Sequence, residues 1–324
     1  MSEPGGQNLK GAMTALAAMG VFATHDVVVK TLGADYSAIQ IIFFAALLSF
    51  PLFSIFILQD RSGGSLVPAH PGWVAFRSLT AVITGISAFY AFGHLPLAQT
   101  YAMLFAIPLI ITVLSVPILG ETVRLRRWMA VLVGLIGVMI VLRPGQAELS
   151  LGHLAALVAA FSGATTSIIV RKLGNDERPA VLLIYPILGN FLVTGALLAF
   201  VYKPMPVGHL GLMGVIAAMG MAGTLLSILS YRMAEAVIAA PMQYSQMIWA
   251  VAYGYMLFDE RPDRWTLIGS AVIILSGIYI VLRETRSGAS QNQPVLEARG
   301  RNETVTTPRS GLLGRMLNPG RGGR

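Results

Sequence analysis

Residues 37–58 read SAIQIIFFAALLSFPLFSIFIL, twenty-two positions without one charged side chain. About 20 apolar residues in a helix span the hydrocarbon core of a bilayer, where no water is present to satisfy open backbone groups. Runs of this kind recur at 11–31, 37–58, 72–93, 96–119, 127–142, 151–171, 180–202, 209–231, 235–258 and 265–282. Short connections such as "RSGGS", "RPG" and "KPMPVG" separate them. The chain is 55% hydrophobic and 12% charged, with mean hydropathy +0.69. Soluble chains carry about 25% charge, so the solvent of most of this surface is lipid. The pattern predicts an all-α integral membrane protein with ten transmembrane helices. Trp73, Trp128 and Trp265 open runs, where indole suits the head-group boundary. The run from Gly11 to Val29 exceeds a signal-peptide core and has no small-residue cleavage site behind it. It reads as a retained helix.

Charge sets the expected orientation. With loops assigned alternately to two sides, the side holding both termini collects eighteen Lys and Arg, eight of them from Arg283 onward. The other side holds five: Lys30, Arg143, Lys203, Arg261 and Arg264. The positive-inside rule therefore places both termini in the cytoplasm. The net charge of +8 comes mostly from the Gly-, Arg-, Ser- and Pro-rich tail. Such a tail reads as disordered and suited to anionic lipid head groups rather than nucleic acid. With no cysteine, disulfides, thiolate metal sites and cysteine nucleophiles are excluded.

The chain also repeats itself. "ATHDVVVKTLG" (23–33) matches "ATTSIIVRKLG" (164–174) with five identities, and "GVMIVLR" (137–143) matches "GIYIVLR" (277–283). Glu121 and Glu260, each closing a long run, lie 139 residues apart. The expected organisation is a cytoplasmic start (1–10), a first five-helix repeat (11–142), a periplasmic linker (143–150), a second repeat (151–283) and a basic cytoplasmic tail (284–324). Five is odd, so the second copy enters from the opposite side. Inverted repeats of this kind characterise secondary transporters, with the substrate near the midplane between copies.

"LPLAQTYAMLFAIPLIITVLSVPILGE" (95–121) before "RWMAVLVGLIGVMIVLRPG" (127–145), and "AEAVIAAPMQYSQMIWAVAYGYMLFDE" (234–260) before "RWTLIGSAVIILSGIYIVLRE", resemble the drug/metabolite transporter superfamily and its ten-helix EamA-type members. The resemblance covers residues 10–285. It implies transport of a small organic metabolite; known members move amino acids, nucleotide sugars, S-adenosylmethionine or riboflavin. "ATHDVVVKTLGADYSAIQIIFF" is most similar to bacterial riboflavin importers. Met247 departs from the pattern, standing where many members carry a proline. Riboflavin uptake is thus the specific expectation. The alternatives are import or export of amino acids, S-adenosylmethionine or a related metabolite, and, in another class, a membrane protein without transport.

His25 and Asp26 head the candidate site. At 1.5 Å per residue Asp26 lies about 22 Å beyond Gly11, past the middle of the membrane. Ionisable groups there face a cavity or a partner. The second copy has Thr166 and Ser167 at these positions but keeps a cation, Arg171, where the first has Lys30. Lys30 and Arg171 therefore read as structural, with Asp26–Lys30 a possible ion pair. His25 and Asp26 read as substrate- or proton-binding, histidine titrating near neutrality. Gln99, Thr100 and Tyr101, with Gln243, Tyr244, Ser245, Gln246, Trp249 and Tyr253, offer either helix–helix hydrogen bonds or a pocket of amides and aromatics. Gln99, Tyr101, Gln243, Tyr244 and Trp249 are placed in the pocket. Tyr185 and Asn190 read as structural hydrogen bonders with a cavity role as the alternative. Arg77 marks the cytoplasmic boundary, Arg232 pairs with Glu235, and Glu121 and Glu260 anchor loops. "GVIAAMG" (214–220) spaces small residues for close helix packing. HExxH, Walker and nucleophile-elbow patterns are absent. The expected partners are a small-molecule substrate and lipid, with a second copy as a possible homodimer, and no cofactor or metal.

Overall fold

The computed structural model describes residues 4–58, 66–121, 123, 125–144, 149–173, 176–233 and 239–286. Among them the chain is helical, without a β-strand: α1 Pro4–Gly33, α2 Ala38–Leu58, α3 Pro71–His94, α4 Leu97–Leu104, α5 Ile107–Leu119, α6 Leu125–Leu142, α7 Leu151–Leu173, α8 Pro179–Val201 and α9 Val207–Met233. A 3-10 helix, Ala240–Ser245, then leads into α10, Gln246–Phe258, and α11, Arg264–Arg286, follows. Seven stretches are long and apolar enough to cross a membrane, and Ala38–Ser54 and Arg264–Ile280 are shorter apolar helices. The outer surface is apolar: Leu132, Ile136, Phe161, Leu192, Met256 and Leu275 are all exposed. That surface suits lipid. The polar groups turn inward instead. Thr84 donates to Ser162 at 2.9 Å and Thr166 to Thr80 at 2.8 Å, joining α3 to α7.

Two expectations change. The polar start is not a separate segment, because α1 already begins at Pro4; extending an existing helix costs far less than starting one. The run 96–119 is not one continuous helix. Pro108 has no N–H for the carbonyl of Leu104, and the chain breaks at Phe105 and Ala106 before α5 begins. The second copy makes the equivalent change at Ser245–Gln246, from 3-10 to α geometry, although Met247 stands there in place of proline.

Packing is reciprocal. α1 packs on α9 as α7 packs on α3, and α2 packs on α9 as α8 packs on α3. α2 with α8, and α6 with α11, pair with their own counterparts. Between α6 and α11 the backbones touch at two glycines. A Cβ on Gly137 would lie 2.9 Å from the Gly269 carbonyl oxygen, and one on Gly269 would lie 2.6 Å from that of Gly137. Phe105 and Tyr244, equivalent in the two copies, meet edge to face at 5.2 Å. In 214–220, Gly214 has only ordinary contact; the tight approach on α9 is Gly223 against the Phe22 ring, at 2.9 Å.

Candidate functional site

Asp26 is 5% exposed. His25 Nδ1 lies 2.9 Å from its Oδ1, and the Tyr101 hydroxyl donates to its Oδ2 at 2.5 Å. A charge in hydrocarbon needs such partners. His25 Nε2 is buried and has no hydrogen-bond partner among the described residues. The sequence reading thus located three members of one cluster, Asp26, His25 and Tyr101, the last brought in by α4. In the second copy the equivalents are neutral and satisfied: Ser167 donates to the Gly163 carbonyl, and Thr166 to Thr80.

Lys30 does not pair with Asp26. Its ammonium lies 2.8 Å from Glu260 Oε1 and donates to the Leu95 carbonyl at 2.6 Å and the Phe92 carbonyl at 3.4 Å. The cation therefore sits at the C-terminus of α3, which its charge complements, whereas Asp26 lies a turn back along α1. Glu260 Oε2 accepts the Leu97 N–H at 2.8 Å, at the start of α4. The other copy mirrors this, with Arg171 Nη2 at 2.6 Å from Glu121 Oε1. Beside it, Lys172 stands over the Trp73 ring at 4.3 Å and donates to the Ile118 carbonyl. Both pairs thus link one copy to the other. Glu121 and Glu260 do more than anchor loops: they close opposite ends of α3, about 33 Å apart at 1.5 Å per residue between Trp73 and Leu95. That is close to the ~30 Å thickness of a hydrocarbon core. Beyond the membrane-spanning segments, Asp263 caps α11 through the Thr266 N–H at 2.9 Å and pairs with Arg143. Burial pushes its carboxyl up, but the Thr266 hydrogen bonds and the Arg143 charge outweigh this and hold it below the usual range.

Arg77, expected to mark the boundary, is a buried side chain in the first turns of α3. It is 3% exposed and donates to the Leu182 carbonyl of α8. Pro186, four residues on, cannot supply the N–H that Leu182 would otherwise receive. The guanidinium fills that gap, a signal present in the sequence as a proline inside an apolar run.

Other candidates go elsewhere. Gln99 Nε2 lies 2.8 Å from His153 Nε2 on α7, because α4 turns it away from Tyr101. Tyr244 packs between Phe105 and α11, where a Cβ on Gly277 would strike its hydroxyl at 1.8 Å. Trp249 covers Gly20 of α1 and stacks with Tyr253, whose hydroxyl meets Thr24 at 2.9 Å. Gln243 is half-buried on the 3-10 helix. Tyr185 reaches the Leu66 carbonyl at 3.4 Å. The Arg232 side chain, Glu235 and the tail beyond 286 lie outside the described residues.

A small pocket opens between α2, α3 and α8, lined by Ile42, Ala45, Ala46, Gly85, Phe89 and Ile187, with Asn190 as its polar member. Phe89 also packs edge to face on the His25 ring at 5.9 Å. One aromatic ring thus separates the pocket from the His25–Asp26–Tyr101 cluster. Among the described residues no group of His, Asp and Glu is arranged to hold a metal.

The profile of the EamA-like transporter family matches residues 9–143 and 150–283, two copies. The S-adenosylmethionine uptake transporter of Rickettsia prowazekii is 26% identical over 88% of this chain and 97% of its own length. The riboflavin transporter of Vibrio cholerae is 32% identical over 66% of this chain and 73% of its own. A pseudopaline exporter of Pseudomonas aeruginosa is 23% identical over 86% and 97%. A solved crystal structure superposes with a TM-score of 0.55 at 18% identity, covering 87% of this chain and 99% of that one, and shares its fold. With the helices, the apolar exterior and both matched copies together, this multi-pass membrane chain belongs to the EamA-like transporter family, and it is a transporter rather than an enzyme.

Proposed function

We propose that the chain moves a small organic metabolite across the inner membrane by alternating access between two inverted five-helix halves, with ten spans and both termini cytoplasmic. One observation carries this reading: the reciprocal ion pairs Lys30–Glu260 and Arg171–Glu121, each joining the two copies at one end of α3. Opening one face breaks one pair and leaves the other, as rocking of one repeat against the other requires. The exchange of packing partners between copies supports the inverted arrangement.

His25, Asp26 and Tyr101 are the substrate- or proton-binding cluster in this reading. Asp26 takes up a proton or pairs with a cationic group, and His25 and Tyr101 follow it by redistributing hydrogen bonds. No nucleotide-binding motif is present in the sequence, so the driving force is an ion gradient or the substrate's own.

Riboflavin uptake is the specific substrate proposed. The Vibrio cholerae riboflavin transporter is 32% identical, and the pocket lining suits a flat uncharged ring. S-adenosylmethionine uptake is the second reading, favoured by the nearly full-length similarity to the Rickettsia prowazekii protein. The test is uptake and efflux of labelled riboflavin and S-adenosylmethionine, within a wider metabolite panel, in cells lacking their own carriers. Saturable, chain-dependent riboflavin uptake is expected. Movement of S-adenosylmethionine alone overturns the first reading, and no movement of any panel member by inserted protein overturns transport of such metabolites.

A further inference from the structure

We infer that the Asn190 carboxamide, with Phe89 beside it, is a subsite that reads the edge of an uncharged flat heteroaromatic ring. The inference rests on the transporter reading above and names the chemistry its substrate must carry.

Asn190 is 3% exposed on α8, and its side-chain oxygen is buried with no hydrogen-bond partner among the described residues. An unmatched amide inside a membrane protein is costly, since lipid supplies no replacement. Ordered water is a poor substitute here. A buried water holds two to four polar partners, and every other residue lining this pocket is apolar. A group that satisfies the amide therefore has to bring its own apolar body.

The walls describe that body. Ala45, Ala46 and Gly85 bring little bulk into the space. A Cβ on Gly85 would already touch Asn190 Oδ1 and Ile42 Cδ1 at 3.6 Å, so the absent side chain leaves room directly over the amide. Phe89 offers a ring for stacking, and its other side rests on His25. No charged side chain lines the pocket, which disfavours an ionised group at this point. A carboxamide presents a coplanar acceptor and donors, and its best match is a ring with a hydrogen-bond donor and acceptor side by side. The space beside the amide is small, so only the edge of a ring enters it and the rest of the ring stays outside. A polar arm on that ring would extend past Phe89 toward Asp26. An isoalloxazine imide and an adenine amino edge share this chemistry.

The test uses the full chain in lipid nanodiscs and measures binding of riboflavin, N3-methylriboflavin, adenosine and N6,N6-dimethyladenosine. Wild type should bind one parent ring at least tenfold more tightly than its methylated partner. Asn190→Ala should weaken the parent at least tenfold and erase the difference between the pair, without lowering thermal stability. Asn190→Leu, which fills the slot, is the second variant and should bind neither ring. Riboflavin selectivity that depends on Asn190 supports the subsite and the riboflavin reading together. Adenosine selectivity that depends on it supports the subsite and overturns the riboflavin reading. A ring bound equally well by wild type and Asn190→Ala, or discrimination that survives Asn190→Ala, overturns the subsite and leaves transport standing. Binding of neither ring by folded wild type overturns it as well.

Discussion

Asp26 is held from two sides, by an imidazole nitrogen at 2.9 Å and a phenol at 2.5 Å, in the second half of α1. If it binds substrate or a proton, Asp26→Asn keeps the shape and removes the charge. Transport should then fall at least tenfold, about 1.4 kcal/mol in the coupled step, or lose its pH dependence, at unchanged levels of inserted protein. Wild-type transport with a wild-type pH profile would leave the cluster a packing feature. Arg77 poses a different question, because its visible role is to serve the Leu182 carbonyl that Pro186 leaves open. Arg77→Met should cost about 1–3 kcal/mol, read as a lower unfolding temperature in detergent. Adding Pro186→Ala restores an N–H for Leu182, so the double variant should regain part of that loss. Strict additivity of the two changes would place the role of Arg77 elsewhere.

At the scale of helices, α6 and α11 approach through Gly137 and Gly269 with no space for a Cβ. Gly269→Val should therefore separate the two helices. Overpacking of this kind costs about 1–3 kcal/mol, visible as less folded protein after detergent extraction. Undiminished yield and melting temperature would show that the interface yields more easily than its geometry implies. The ion pairs join helix ends instead of helix faces. Breaking one should bias the carrier toward opening at that end. The chain has no cysteine, so a single one at Ala45 reports accessibility cleanly. Glu260→Gln should speed its labelling from outside about tenfold, and Glu121→Gln from inside by a similar factor, a bias of about 1.4 kcal/mol. A change on the same side from both variants would refute reciprocal gates.

For the whole molecule, the distribution of Lys and Arg and the proposed five helices per copy make one joint prediction. Reporter fusions at Arg283 and within 143–150 should give opposite readings, cytoplasmic and external. Matching readings would remove both the ten-span topology and the inversion. The molecule has an apolar exterior, cross-copy ion pairs at two ends about a bilayer apart, and polar groups gathered between. The proposed opposite orientation of the halves accounts for these features together.

The helices, the two copies and the family were written in the sequence. Hydrophobic runs of bilayer length have few alternatives in lipid, and repeats survive as local similarity. The difference between the copies at Asp26 was legible too, since Ser167 stands at the equivalent place. Partner choice was not. Lys30 lies one turn from Asp26 in the chain but meets Glu260, 230 residues away, because helix ends from different copies converge there. Gln99 and Tyr101, two residues apart, point to different helices, His153 on α7 and Asp26 on α1. The pocket at Asn190 depends on three helices and on what Gly85 leaves empty. Spacing along one strand of sequence sets which faces a helix presents; which groups meet across those faces is decided by how the helices pack.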